Sequence, residues 1–241
     1  VRGAAINADT GKKVTYPPLV GTFNYSTRRI LCLGDSITHG VGWIPSCGYR
    51  DLLSNTLGST GGFTGLQFVG TLNTSNGSSD GVTCPANNQQ MFHAGFDGAT
   101  CNDLIIDLPT VMAAAVPDVV LMHAGTNDLI AVVGGTETLA DAMLHFTQLL
   151  TDVCNAAPNA VIFAATLVPS PNLATPTPTF NANVVSQVAA QSAAGFKVFE
   201  CDQFSALNPA TDFDAGGVHP NSLGYPKMAA AWYHSMTTLT P

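Results

Sequence analysis

Apolar residues along this chain of 241 positions recur in two rhythms. Short runs with few polar breaks cover Arg29 to Leu33, Leu66 to Val69, Val119 to His123, Ala160 to Val168 and Phe196 to Phe199. Strands read this way when helices cover both faces of a parallel sheet. Elsewhere apolar positions step by three or four. Leu52, Leu53 and Leu57 share one helical face over Tyr49 to Leu57. Leu139, Met143, Phe146, Leu150 and Val153 form a longer stripe, which Pro158 ends. Further helices are expected up to Val116, stopped by Pro117, and around Val184 to Ala194. A last one follows His219, with Tyr225, Met228, Ala229 and Trp232 facing inward and Asn221 or Ser222 as its cap. Residues 71–90, rich in Asn, Ser and Gly, and Pro169 to Pro178 read as loops. Strands alternating with helices predict the α/β class: a three-layer α/β/α sandwich around a five-stranded parallel sheet, as one domain over 29–241. Residues 1–28, with Pro17-Pro18 and little periodicity, read as an N-terminal extension packed on that domain.

In such a sheet the reactive edge lies beyond the carboxyl ends of the strands. Gly34-Asp35-Ser36-Ile37-Thr38 follows the first strand and Gly125-Thr126-Asn127-Asp128 the third; Val218-His219-Pro220-Asn221 precedes the last helix. Together they offer a serine nucleophile, an amide donor for an oxyanion and a histidine base, the three roles acyl transfer needs. Each block alone also reads as an ordinary turn. Thr38 stands where a nucleophile elbow would carry its second glycine. Asp35 and Asp128 are expected to fix their loops, and the Gly95 N–H, in His93-Ala94-Gly95-Phe96, is the expected second oxyanion donor. Pro220 keeps His219 out of a helix, so its ring projects from a loop. Among the other histidines, His123 reads as core, His145 as solvated and His93 as structural; His39 and His234 show no partner in the sequence. Trp43, Tyr49 and Phe96 lie near the blocks, where aromatics either stack on sugar rings or pack the core.

Charge and cysteines narrow the picture. The formal charge is −8 with only 10% charged residues and no basic stripe, so nucleic acid is not an expected partner and a neutral substrate suits the surface better. No uncharged apolar run reaches membrane-spanning length. Six cysteines without a C-x-x-C pair, scarce lysine, and sequons at Asn24, Asn73 and Asn76 favour an extracellular, secreted glycoprotein with disulfides. A first residue other than Met agrees with processing. The expected pairs are Cys84–Cys101, Cys154–Cys201 and Cys32–Cys47. No metal-ligand spacing is evident, and no cofactor is expected.

From residue 29 to about 235 these blocks resemble the SGNH (GDSL-type) hydrolase superfamily. The resemblance implies a flavodoxin-like fold, Ser36 as nucleophile, His219 as base, and an oxyanion hole from the Ser36 N–H, Gly95 and Asn127. Gly48-Tyr49-Arg50, Phe68-Val69-Gly70 and His93-Ala94-Gly95-Phe96 further resemble carbohydrate esterase family 3, whose members deacetylate xylan. The implied activity is removal of acetyl groups from an acetylated plant polysaccharide, by a monomer with no membrane partner. A short-chain lipolytic or thioester hydrolase, or a catalytically dead glycan-binding protein, are the alternatives. One departure stands out. The superfamily's acid lies three residues before the histidine, where this chain has Gly216. Asp214, five residues before His219, is the expected acid if the two glycines loop out; Asp212 or a Ser–His dyad are the alternatives.

Overall fold

The computed structural model describes residues 23–43, 47–73 and 92–238. Five parallel strands form the centre: β1 (Arg29–Gly34), β2 (Gln67–Val69), β5 (Val119–His123), β6 (Val161–Ala165) and β7 (Lys197–Cys201). Their lateral order is β2-β1-β5-β6-β7, the flavodoxin-like arrangement. Two short strands outside the expected five raise the count to seven. β4 (Phe92–Gly95) lies parallel to β1 beyond the end of β2, pairing at Leu33↔Ala94 and Gly34↔Gly95, and β3 (Leu72–Asn73) pairs antiparallel with β4. Phe-His-Ala-Gly and Leu-Asn make no apolar run of the kind that marks the other five.

β1, β5 and β6 are buried nearly throughout because helices cover both faces. On one side α3 (Cys101–Ala115), α5 (Leu139–Ala156) and α6 (Thr177–Ala193) enclose a core that includes Leu108, Phe146, Leu150 and Phe180. On the other, α2 (Tyr49–Ser59) and α7 (Gly224–Thr237) enclose Tyr49, Leu53, Phe163, Met228 and Trp232. Capping fixes several helix starts. Thr100 and Asp103 form a reciprocal capping box on α3, and the Thr138 hydroxyl accepts the Asp141 N–H on α5. At α7, Asn221 Oδ1 accepts the N–H groups of Leu223 and Gly224. α6 begins inside the expected proline loop, because Pro178 near the first helical position gives up an N–H that would have no partner anyway. Of the extension, residues 23–28 are described, and Tyr25 is buried with its hydroxyl donating to Met236 O.

The expected disulfides are not found. Cys32, Cys101, Cys154 and Cys201 are buried free thiols. Cys154 and Cys201 sit in the cores on opposite faces of the sheet, which rules out their bridge. Cys101 lies in one core and Cys32 in the other, each as a reduced side chain. Cys47 is disulfide-bonded, but not to the expected Cys32, which is free; Cys84, the expected partner of Cys101, lies outside the described residues. Asn24 and Asn73 are exposed; Asn76 lies outside the described residues.

Candidate active site

The three blocks meet at the carboxyl edge because the register brings them there. Gly34 at the end of β1 pairs with His123 on one side and Gly95 on the other, so the segments after all three strands emerge together. Past Gly34 the chain turns at once into the four-residue helix α1 (Ser36–His39). Asp35 makes that turn: its buried carboxylate accepts the Ile37 N–H at 2.9 Å. Burial raises the Asp35 pKa to about 6. Ser36 therefore opens the helix, and its own N–H has no acceptor among the described residues.

The Ser36 Oγ lies 2.8 Å from His219 Nε2, and His219 Nδ1 lies 3.5 Å from Asp214 Oδ2. The two glycines loop out and let an acid five residues away reach the ring. The Asp214 N–H donates to His219 O at 2.8 Å, and Phe213 bridges Pro220 antiparallel, so 213–220 is a small hairpin. Within it the Gly217 N–H donates to Asp214 O, and Gly217 sits at φ +69°. Asp212 is turned away. Its carboxylate accepts from Asn208 N, Thr211 Oγ1 and Lys227 Nζ. Burial pushes that carboxyl up, but the three donors overcome it and hold the pKa below the ordinary value.

Asn127 stands in the first turn of α4 (Thr126–Val133), a helix where the sequence read as a turn. Its Nδ2 donates to Ala99 O at 2.9 Å, which fixes the amide and leaves its second N–H available. Gly95 is not a free donor. Its N–H donates to His93 Nδ1 at 3.0 Å, and a Cβ there would lie 2.6 Å from His39 N, so glycine at this position serves close packing. An unengaged amide nearby belongs to Gly98, which the sequence reading did not single out. The Phe96 N–H donates to Gly34 O and the Ala99 N–H to Phe96 O, closing a turn in which Gly98 has φ +76°. The Gly98 N–H has no acceptor among the described residues, and a Cβ there would meet nothing within 4 Å. A second Gly preceding a Thr-capped helix, as in Gly98-Ala99-Thr100, was the available signal.

The remaining residues are placed as follows. Tyr49 is fully buried, tilted against Trp232 at 5.9 Å, so it is a core residue and not a substrate contact. Phe96 is half-buried against the core. Trp43 is half-exposed and stacks on Tyr225, whose hydroxyl donates to Val41 O. His39 does have a partner: its Nδ1 lies 2.9 Å from Asp97 Oδ1, and its ring stacks on His93. Burial, followed by the Arg50 and His39 charges, holds the His93 pKa well below the ordinary value. His145 pairs with Glu137 at 2.9 Å, and ligand atoms of these two and Asp128 lie within 4.8 Å of one another. Each has a protein partner, Asp128 accepting the Cys101 N–H at the start of α3.

Comparisons with known proteins give the chain a family and relatives of similar fold. Residues 32–227 match the GDSL-like lipase/acylhydrolase family. A multidomain esterase of Ruminococcus flavefaciens is 28% identical over 232 residues, covering 86% of this chain but only 28% of that relative's length. Among solved structures, a Clostridium thermocellum family 3 carbohydrate esterase is similar at TM-score 0.71 and 26% identity, covering 86% of this chain and 94% of the other. A carbohydrate esterase family 3 structure from Talaromyces cellulolyticus shares the fold at TM-score 0.66 and 23% identity, over 85% and 93% of the two chains.

Proposed function

Because this chain belongs to the GDSL-like lipase/acylhydrolase family, we propose that it is a serine carboxylic ester hydrolase working through an acyl-enzyme. The 2.8 Å contact between Ser36 Oγ and His219 Nε2 carries the proposal. His219 takes the hydroxyl proton as Ser36 Oγ attacks the ester carbonyl carbon. Negative charge on the carbonyl oxygen is received by the Ser36 N–H, the Gly98 N–H and the second Asn127 N–H, all preset by backbone or by Ala99 O. The tetrahedral intermediate collapses, His219 returns the proton to the leaving alkoxide, and an alcohol departs. Water, deprotonated by the same ring, attacks the acyl-serine and releases the acid. Asp214 faces Nδ1, where it keeps the proton on that nitrogen and Nε2 free to accept.

The proposed substrate is an acetylated plant polysaccharide such as acetylxylan, acted on outside the cell. The resemblance to a carbohydrate esterase supports it, as do an acidic chain suited to a neutral polymer and the exposed part of Trp43 beside the nucleophile's helix. The test uses wild type and Ser36→Ala on acetylxylan and on 4-nitrophenyl esters of short and long acids. Acetate release that disappears in the variant is expected. A preference for long acyl chains would replace the substrate with a lipid ester, and glycan binding without turnover would overturn the enzyme reading.

A further inference from the structure

We propose that Ser170 and Asn172, on the loop after β6, are positioning residues for Asp214; the proposal rests on the esterase reading of Ser36 and His219. Among the described residues no donor other than His219 approaches the acid itself. Asp214 Oδ1 is buried without a hydrogen-bond partner, and Oδ2 has the 3.5 Å approach to His219. Where the carboxylate points is therefore set by its backbone. That backbone is the hairpin of residues 213–220, closed at its base by Asp214 N to His219 O and turned by Gly217 N to Asp214 O. Gly216 and Gly217 at its tip have the widest conformational freedom of any residues, and an unanchored tip would spread Asp214 over many orientations.

The tip is anchored from outside. Ser170 Oγ donates to Gly217 O at 2.7 Å and Asn172 Nδ2 to Gly216 O at 2.6 Å. The Ser170 donor is itself fixed. The Ser170 N–H donates to Val168 O, Ser170 O accepts the Leu173 N–H, and the Ser170 side chain is buried. Pro171–Leu173 forms a 3₁₀ turn directly beyond Ser170. Gly216 in turn packs against the acid, since a Cβ there would stand 3.4 Å from Asp214 Oδ1. Two hydrogen bonds from one rigid turn thus fix the peptide segment against which the carboxylate rests. The longer spacing between acid and base is made workable by a clamp from a different part of the chain.

A double-mutant cycle on 4-nitrophenyl acetate tests this. The pair Ser170→Ala with Asn172→Ala is made in wild type and in Asp214→Asn. In wild type, kcat should fall roughly 10- to 100-fold with KM within about twofold, since two hydrogen bonds to the loop are lost. Asp214→Asn alone should cost about 10⁴-fold. In that background the clamp substitutions should cost less than about twofold, because they act only through the missing carboxylate. Equal penalties in the two backgrounds, or an unchanged kcat in wild type, would overturn the proposal. If the double variant does not fold, Asn172→Ala alone, at an exposed position, must show the same non-additivity on a smaller scale. Wild type that turns over no ester would sink the esterase reading itself; additive penalties in an active enzyme would sink only the clamp.

Discussion

Asp212 and Asp214 lie two positions apart and have opposite surroundings. Asp212 is fully buried and accepts three hydrogen bonds that tie the 208–212 loop to α7 through Lys227. Asp214 has the His219 ring and, among the described residues, no other side-chain hydrogen-bond or ion-pair partner. Asp212→Asn should therefore lower stability by about 1–3 kcal/mol, the cost of weakening a buried charged acceptor, with kcat preserved. Asp214→Asn should do the reverse. Thermal midpoints and kcat, measured together on both variants, distinguish the two roles, and equal mild effects on kcat would point to a Ser–His dyad. Asn127 admits the same kind of test. Asn127→Ala removes an amide fixed by Ala99 O and should cost about 10²–10³-fold in kcat on 4-nitrophenyl acetate with a small change in KM. The placement of Ser36, Asn127 and His219 at one edge was legible in the sequence because each proposed role demands a particular side chain at a strand end or before a helix. The proposed glycine donor was not, because a backbone N–H needs no particular side chain, and a second glycine ahead of the Thr100 cap does not say which amide is unengaged. Only the hydrogen-bond pattern separates Gly95, engaged by His93, from Gly98.

At the scale of elements, legibility followed burial. β1, β5 and β6 announce themselves because both of their faces are covered, and α5 because its stripe runs through Phe146, Leu150 and Val153. β3, β4 and α4 did not. The first two, Leu-Asn and Phe-His-Ala-Gly, carry no apolar run, and α4 begins with the turn-like Gly-Thr-Asn-Asp sequence, whose asparagine and aspartate bond to Ala99 O and the α3 terminus. Cysteine pairing failed for a related reason: spacing along the chain says nothing about which face of the sheet a thiol occupies. Cys32 and Cys201 sit in strands of one core, and Cys101 and Cys154 in helices of the other. Burial pushes the Cys32, Cys154 and Cys201 thiols up to about 12, and raises Cys101 well above the ordinary value. Buried, protonated thiols are poor nucleophiles. Thiol titration of the native protein should therefore find almost no fast-reacting cysteine, and unfolding without reductant should expose the four free thiols. Fewer than four after unfolding would restore one of the expected bridges.

The molecule as a whole buries titratable groups along the edge that carries the chemistry, and this couples its stability to pH. His123, at the end of the central strand, is fully buried with neither ring nitrogen hydrogen-bonded among the described residues, and burial lowers its pKa from 6.5 to about 4. His93 is shifted in the same direction. Between pH 6.5 and about 4 the unfolded chain takes up a proton at His123 that the folded chain refuses, so this residue makes stability fall as pH falls through that window. Asp35 acts oppositely. Its pKa rises from 3.8 to about 6, so the folded state holds a proton that the unfolded state has lost, and the cost of burying the carboxylate is relieved on acidification. The net slope mixes these terms, whereas a substitution isolates one of them. His123→Leu removes the histidine's proton uptake and leaves Asp35 and His93 in place. The thermal midpoint of the variant relative to wild type should become steadily more favourable as pH is lowered from 7 to 5, whatever its offset at neutral pH. Parallel curves for the two proteins would mean that His123 is protonated inside the fold, with a solvent or side-chain partner for its ring.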